Sequence, residues 1–186
     1  MKIVFIRHGE PDYTDVTQKG FIGHGRDLAH LTKVGKVQAQ IAAGNPLLDR
    51  VELIVSLPYT RAFQTAAIIS KHRNVDIEVE LDLHEWLPDL TFSFCNYDYV
   101  NQSVNLCIVN KGLCPKDSSI QYEELSSVFY RAKKCLEKYC SYKKIAVVAH
   151  GMLMCQFAIP QEYPYCSMAE VDFDKTFEWR GWIDPV

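Results

Sequence analysis

Short apolar runs alternate along this chain with longer segments in which apolar residues recur every three or four positions. The runs at 3–6, 53–56 and 145–149 have the length and composition of buried strands. Helical periodicity predicts a helix over 59–72 and another over 118–139. A further helix is predicted to begin after Thr32, as its N-cap, and to stop at Gly44 and Pro46.

The remaining segments are read from turn residues and from shorter patterns. Residues 13–30 are polar and interrupted by glycine, which predicts a long loop. Strict alternation over 76–83 predicts a strand with one wet face. Residues 84–117 are irregular and rich in aromatic side chains. Two last strands are expected at 169–173 and 177–182.

This order of elements predicts an α/β fold, a three-layer α/β/α sandwich with a mostly parallel central sheet. The length of 186 residues fits a single domain over 1–186, and neither a repeat nor a linker interrupts it. Within that domain, the aromatic-rich segment at about 86–117 is expected to form a cap insertion.

Composition narrows the choice of partners. The formal net charge is −3 and the pI is about 6.1, which gives no electrostatic case for a nucleic-acid partner, and no membrane partner is expected. No apolar run approaches the length of a membrane span, and the start of the chain lacks a signal-peptide core. The seven cysteines are scattered without a C-x-x-C pair, which predicts free thiols and a cytoplasmic location. The oligomeric state is left open.

Polar residues follow three of the predicted strands. The first leads into Arg7-His8-Gly9, the strand at 53–56 leads towards Arg61, and the strand at 145–149 leads into His150-Gly151. Because the carboxyl ends of parallel strands open on one edge of a sheet, two arginines and two histidines are expected to surround one point. Such a cluster suits a dianionic phosphoryl group, which guanidinium groups bind through paired hydrogen bonds.

Five short sequence motifs occur along the chain in an order that is typical of one known family. Arg7-His8-Gly9-Glu10 is followed by four further stretches, namely Leu31-Thr32-x-x-Gly35-x-x-Gln38-Ala39, Ser56-x-Pro58-x-x-Arg61-Ala62-x-Gln64-Thr65-Ala66, Leu83-His84-Glu85 and Ala149-His150-Gly151. In this order they resemble the histidine phosphatase superfamily, whose fold is phosphoglycerate-mutase-like, over about the first 150 residues. The tail after Gly151 matches only loosely.

The resemblance implies a catalytic role for each matched residue. His8 would be the nucleophile and would be transiently phosphorylated, while Arg7, Arg61 and His150 would hold the phosphoryl oxygens. Glu85 would protonate the leaving oxygen and later act as the base for water.

Other assignments around the site stay open. Asp82 or Asp89 could replace Glu85 as the proton donor. Further candidates for substrate binding are Glu10, Thr14, Ser56 and Gly151. Many members of the family read Arg-His-Gly-x-Thr-x-x-Asn, whereas this chain has Pro11 and Thr14 at the last two positions. Either Thr14 would replace the asparagine in part, or Asp12 and Tyr13 would reshape the site.

Together these features predict a metal-independent phosphomonoesterase that hydrolyses a small phosphorylated metabolite through a phosphohistidine intermediate, with no cofactor. The short, aromatic-rich cap favours hydrolysis, because it leaves the phosphohistidine open to water. A phosphoglycerate-type mutase and a non-catalytic phospho-ligand-binding module are the alternatives. Candidate specificity elements are Tyr13, His24, Arg26 and the cap.

Overall fold

The computed structural model describes residues 1–94, 96–158 and 163–182. The strands in these ranges are β1 (Lys2–Arg7), β2 (Pro11–Asp12), β3 (His30–Leu31), β4 (Leu53–Ser56), β5 (Ile77–Val79), β6 (Lys144–Ala149) and β7 (Met168–Asp172). The α-helices are α1 (Thr14–Gln18), α2 (Lys33–Ala43), α3 (Thr60–Arg73), α4 (Tyr97–Val109), α5 (Leu125–Leu136) and α6 (Gly151–Cys155).

Five of the strands form one sheet in the order β5-β4-β6-β1-β7. The pairs β5–β4, β4–β6 and β6–β1 are parallel, and β7 alone runs antiparallel, along β1. Strands β2 and β3 form a separate antiparallel pair. The carboxyl ends of β1, β4 and β6 therefore lie at one edge, as the sequence predicted.

The central strands are buried on both faces. All four residues of β4 and the last five of β6 are buried, as are the four apolar residues of β1. Because consecutive side chains of a strand point to opposite faces, helices must cover both sides of the sheet. This confirms the predicted α/β/α sandwich.

Helix α2 begins at the predicted N-cap. The Thr32 hydroxyl accepts a hydrogen bond from the Gly35 amide at 2.8 Å and donates one to Glu10 Oε1 at 2.7 Å. Gly35 also touches the loop after β1, where an added Cβ would lie 2.3 Å from the Glu10 carbonyl oxygen. The same threonine thus caps the helix and ties it to the loop that carries His8.

The strand predicted over 76–83 is shorter than expected. Only Ile77–Val79 pairs with β4, and the register ends with Ser56 opposite Val79. Since β4 stops at Ser56, the chain has no further partner there, and a 3₁₀ turn follows at Leu81–Leu83. The alternation of polar and apolar residues continues to residue 83, but β4, the neighbouring strand, ends at Ser56.

Two segments read as irregular contain helices. The expected loop at 13–30 holds α1 and a 3₁₀ turn at Gly23–Leu28. The aromatic-rich segment holds the 13-residue helix α4, whose N-cap Asn96 accepts a hydrogen bond from the Tyr99 amide at 2.9 Å. Only Ser103 and Cys107 of α4 are buried, which is too narrow an apolar stripe to give a clear helical period.

The helix predicted over 118–139 begins later, at Leu125, and ends in a 3₁₀ turn at Glu137–Tyr139. The strand predicted at 169–173 is β7, one residue earlier. No strand forms over 177–182 in the described part of the chain. Phe177 and Trp179 pack instead against Phe129 of α5.

Within the described ranges, no helix is long and apolar enough to cross a membrane. Six of the cysteines in those ranges are free thiols, and Cys95 lies outside them. A single domain over 1–186 and a cap at 86–117 stay predictions.

Candidate active site

The ends of β1 and β6 bring two imidazoles together. Arg7 and Ala149 are register partners in the parallel pair, and the His8 amide donates to the Ala149 carbonyl at 3.0 Å. As a result, the ring centroids of His8 and His150 are 4.3 Å apart, and both residues are buried. The predicted meeting of these two strand ends is therefore present in the structure.

One nitrogen of the His8 ring is fixed by a hydrogen bond. His8 Nδ1 lies 2.7 Å from the carbonyl oxygen of Gly9. Because a carbonyl can only accept, Nδ1 must carry the proton, and Nε2 is left as the nitrogen with a free electron pair. This tautomer presents Nε2 as a nucleophile.

Helix α3 is fixed to the same loop. The Thr65 hydroxyl donates to the Arg61 carbonyl at 2.8 Å and accepts from the Gly9 amide at 3.0 Å. Gly9 also lies against α2, where an added Cβ would be 2.6 Å from the Gly35 carbonyl oxygen. Arg61, in the first turn of α3, is thereby held at a fixed place relative to His8.

Burial is the main cause of the low pKa of His8. Burial, followed by the charge of Arg61, lowers the pKa to about 3, and Arg7 adds a smaller effect in the same direction. Burial and Arg61 likewise hold the pKa of His150 well below its usual value. Both imidazoles are therefore neutral at physiological pH.

This shift makes stability depend on pH. Between its folded pKa of about 3 and its usual value of 6.5, His8 binds a proton only in the unfolded chain, so acid favours unfolding. On lowering the pH to about 5, wild type should lose about 2 kcal/mol more unfolding free energy than His8→Asn. Urea titrations at about pH 7.5 and about pH 5, without phosphate, measure this, and equal losses would contradict the shift.

Several polar atoms of the cluster are buried without a partner in the described part of the chain. They are Arg7 Nε, Arg61 Nε and Nη1, and both ring nitrogens of His150. Buried donors are normally satisfied, and unsatisfied ones cost on the order of 1–3 kcal/mol each. These residues surround the His8 ring, since the His150 ring lies beside it and the charges of Arg61 and Arg7 both lower its pKa, so the free donors there suit an acceptor-rich anion.

Asp27 is a member of the site that the sequence did not identify. Its Oδ1 lies 3.1 Å from Arg61 Nη2, and its Oδ2 lies 3.1 Å from His24 Nδ1. The ion pair with Arg61 orients one edge of the guanidinium group and leaves Nε and Nη1 free. The sequence predicts a loop for the surrounding segment, and nothing in its pattern points to Arg61.

Three tyrosines also contact the cluster without having been predicted to do so. The Arg7 guanidinium lies 4.4 Å from the centre of the Tyr165 ring, and Arg7 Nη1 donates to the carbonyl oxygen of Tyr163. The Tyr59 ring meets His150 edge-on at 5.1 Å. Tyr163 and Tyr165 lie where the resemblance is loose, so the sequence offered no signal for them.

Glu85 lies beside the helix that follows His150. Its Oε2 accepts from the Met152 amide at 3.0 Å, and its Oε1 accepts from Leu153 at 3.0 Å and Trp86 at 2.7 Å. Burial raises the pKa of Glu85, and these hydrogen bonds only partly oppose it. A carboxyl group with a raised pKa can hold a proton nearer neutrality, as a general acid must.

A cavity of about 270 Å³ opens beside the cluster. Its lining includes Arg61 and Glu85, together with Tyr13 and Arg26 from the predicted loop and Tyr97 from the aromatic-rich segment. The candidate acid and one of the arginines predicted to hold phosphoryl oxygens thus share a cavity with three residues outside the cluster.

The remaining predicted residues lie at the edge of this arrangement. The Glu10 carboxylate accepts from Thr32, the Ser56 hydroxyl donates to the Leu57 carbonyl at 2.9 Å, and the Thr14 side chain is exposed. Gly151 opens α6, and an added Cβ would meet nothing within 4 Å. Their part in substrate binding stays a prediction.

The alternative acids differ from Glu85 in their surroundings. Burial raises the pKa of Asp89, but hydrogen bonds from Thr91 and Ser93 outweigh it and lower the pKa overall. Asp82 is exposed. In the described ranges, no group of three or more His, Cys, Asp or Glu side chains is arranged to hold a metal ion.

A mostly parallel sheet with two histidines and two arginines at its carboxyl edge defines an α/β protein built to hold a small anion. A family model described as the histidine phosphatase superfamily (branch 1) matches residues 3–159, and the chain belongs to this superfamily. It is accordingly an enzyme of the histidine phosphatase type, which confirms the resemblance stated from the motifs.

Known proteins resemble the chain in sequence and in fold. "Putative phosphoserine phosphatase 2" of Hydrogenobacter thermophilus is 28% identical over 166 residues, covering 81% of this chain and 73% of the relative. A mycobacterial glucosyl-3-phosphoglycerate phosphatase superposes with a TM-score of 0.68 at 17% identity, over 97% of this chain and 96% of its own. The α-ribazole phosphatase of Shigella flexneri superposes with a TM-score of 0.62 at 21% sequence identity, over 98% of this chain and 96% of its own. These two structural likenesses concern the fold.

Proposed function

We propose that this enzyme is a metal-independent phosphomonoesterase that hydrolyses a small phosphorylated metabolite through a phosphohistidine formed on His8. The observation that carries the proposal is the set of buried donors on Arg7, Arg61 and His150, around the His8 ring, that have no partner in the described part of the chain. A phosphoryl group would accept hydrogen bonds from all three residues while Nε2 approaches the phosphorus in line with the leaving oxygen.

In the first step, the electron pair of His8 Nε2 forms a bond to phosphorus as the bond to the leaving oxygen breaks. The proton on Glu85 passes to that oxygen, and an alcohol departs. The Gly9 carbonyl continues to accept from Nδ1–H, which steadies the positive charge that develops on the ring. The cations face the equatorial oxygens, where charge is spread in the transition state.

In the second step, water attacks the phosphohistidine. The Glu85 carboxylate takes a proton from the water as its oxygen bonds to phosphorus, and the N–P bond breaks. Inorganic phosphate leaves, while His8 returns to its starting tautomer and Glu85 to its protonated form. The low pKa of His8 supports this cycle, because a neutral imidazole is both the attacking and the departing group.

A panel of phosphomonoesters tests the proposal. It includes phosphoserine, glucosyl-3-phosphoglycerate and α-ribazole phosphate, after the relatives' names, and 4-nitrophenyl phosphate as a chromogenic ester. We expect phosphate release from at least one ester, undiminished by EDTA. Release from none would overturn hydrolysis, and a strict requirement for added metal would overturn metal independence.

The mutase alternative gives a different result in the same assay. A mutase would isomerise 3-phosphoglycerate when primed with a bisphosphate and would release little phosphate, whereas binding without turnover would indicate a phospho-ligand-binding module.

We also propose a cytoplasmic location, which the free thiols of the described cysteines support.

A further inference from the structure

Arg26 is a cation in the wall of the active-site cavity that the proposed mechanism does not use. It belongs to the 3₁₀ turn at Gly23–Leu28 and lines the same cavity as Arg61 and Glu85. Because the cluster around His8 would hold the phosphoryl group under the proposed function, a further cation lining this cavity is available to the rest of the substrate. What it binds therefore bears on the leaving group rather than on phosphoryl transfer itself.

Two aromatic rings hold the Arg26 guanidinium in place. Its central carbon lies 4.9 Å from the centre of the Tyr13 ring and 4.5 Å from that of Tyr97. The two rings themselves meet edge-on, with centroids 6.5 Å apart. Contact with ring carbons leaves the N–H donors available, since in the described ranges Arg26 donates no hydrogen bond to either tyrosine or to any other residue.

The neighbouring carboxylate does not neutralise this charge. Asp27 follows Arg26 directly, but its two oxygens are taken by Arg61 and His24. No carboxylate within the described ranges forms an ion pair with Arg26. An arginine held over aromatic rings at a cavity wall, with its donors unused, is a preformed site for an anion.

We propose that Arg26, held by Tyr13 and Tyr97, binds a carboxylate on the leaving group of the substrate. The inference rests on the proposed phosphatase function and narrows its substrate class to phosphomonoesters of hydroxy acids. A carboxylate is favoured because its planar pair of oxygens matches two N–H groups of a guanidinium fork. The cavity of about 270 Å³ is small, which also favours a compact anionic group over a large one.

The test compares esters that differ only in the carboxylate. One pair is phosphoserine and phosphoethanolamine, and a longer pair is 4-carboxyphenyl phosphate and phenyl phosphate. In wild type, kcat/KM should be higher for the carboxylated member of at least one pair. Arg26→Met should remove that preference, lowering kcat/KM for the carboxylated ester by about tenfold to a hundredfold and changing its partner within about twofold.

A matched control removes an arginine elsewhere. Arg50 is exposed and precedes β4, at the sheet edge opposite the cluster, so Arg50→Met should leave the wild-type preference intact in every pair that shows one. If Arg26→Met fails to fold, competitive inhibition of wild type decides the matter. Under the proposal, 4-hydroxybenzoate inhibits more strongly than phenol, and equal inhibition overturns it.

Failure of this inference is distinguishable from failure of the phosphatase proposal. If wild type releases phosphate from both members of each pair at equal kcat/KM, hydrolysis stands and the carboxylate subsite is wrong. The subsite is equally wrong if Arg26→Met slows both members to the same extent. If no ester is hydrolysed, the phosphatase proposal itself fails.

Discussion

His8→Asn should lower kcat by about 10⁴-fold or more and should abolish the labelled intermediate. Asparagine can keep a donor near the Gly9 carbonyl but offers no nitrogen electron pair to attack phosphorus. The measurement is phosphate release, paired with rapid quenching of enzyme mixed with an ester that carries a radiolabelled phosphoryl group. Wild type should retain label that acid removes and base does not, as expected for an N–P bond.

The matched control is His72→Asn. His72 is exposed in the last turn of α3, away from the ring pair, so this variant should keep both turnover and label. Base-stable, acid-labile label on His8→Asn would place the nucleophile on another histidine. Full turnover without any trapped label in wild type, under conditions where hydrolysis of the intermediate limits the rate, would contradict covalent catalysis.

The strands that carry the chemistry were predictable because their signal is local. A fully apolar run of four or five residues followed by a charged or imidazole side chain identifies both a buried strand and its functional end. The parallel register of β1 and β6, which are neighbours in the sheet, then places Arg7, His8 and His150 close together. To place these three residues together, the adjacency of β1 and β6 is the one long-range contact that must be assumed.

The partners of those residues were not predictable, because they come from segments without a period. Asp27 reaches Arg61 from a 3₁₀ turn, and Tyr165 reaches Arg7 from the segment before β7. Such contacts depend on how the loops fold over the sheet edge, which neither alternation nor helical spacing encodes. Helix α4 was missed for a related reason, as only two of its residues are buried.

The same distinction applies to the proton donor. Glu85 follows a segment whose predicted strand ended early, so its position could not be fixed by counting from the sheet. The structure places it through hydrogen bonds to the amides of Met152 and Leu153, in the helix that begins directly after His150. The candidate acid and the second histidine are therefore positioned by one short stretch of backbone.

Glu85→Gln should slow the enzyme in proportion to the basicity of the leaving group. Alkyl phosphates leave as strongly basic alkoxides and need the proton, so kcat/KM should fall by about 10²–10⁴-fold. For 4-nitrophenyl phosphate, whose leaving group is stable as an anion, the loss should be about tenfold or less. Initial rates for alkyl and aryl esters, with wild type and variant side by side, give the comparison.

The pH dependence of kcat provides an independent test of Glu85 as the proton donor. Because burial raises the pKa of Glu85, wild-type kcat for an alkyl ester should fall as the pH rises through that value and the proton is lost. Glu85→Gln should lack this alkaline limb. The matched control, Asp82→Asn, removes an exposed carboxylate three residues earlier and should preserve both the limb and the leaving-group dependence. If instead Asp82→Asn lost the alkaline limb, or slowed alkyl esters much more than 4-nitrophenyl phosphate, the proton would be assigned to Asp82 and Glu85 would have a purely structural role at the start of α6.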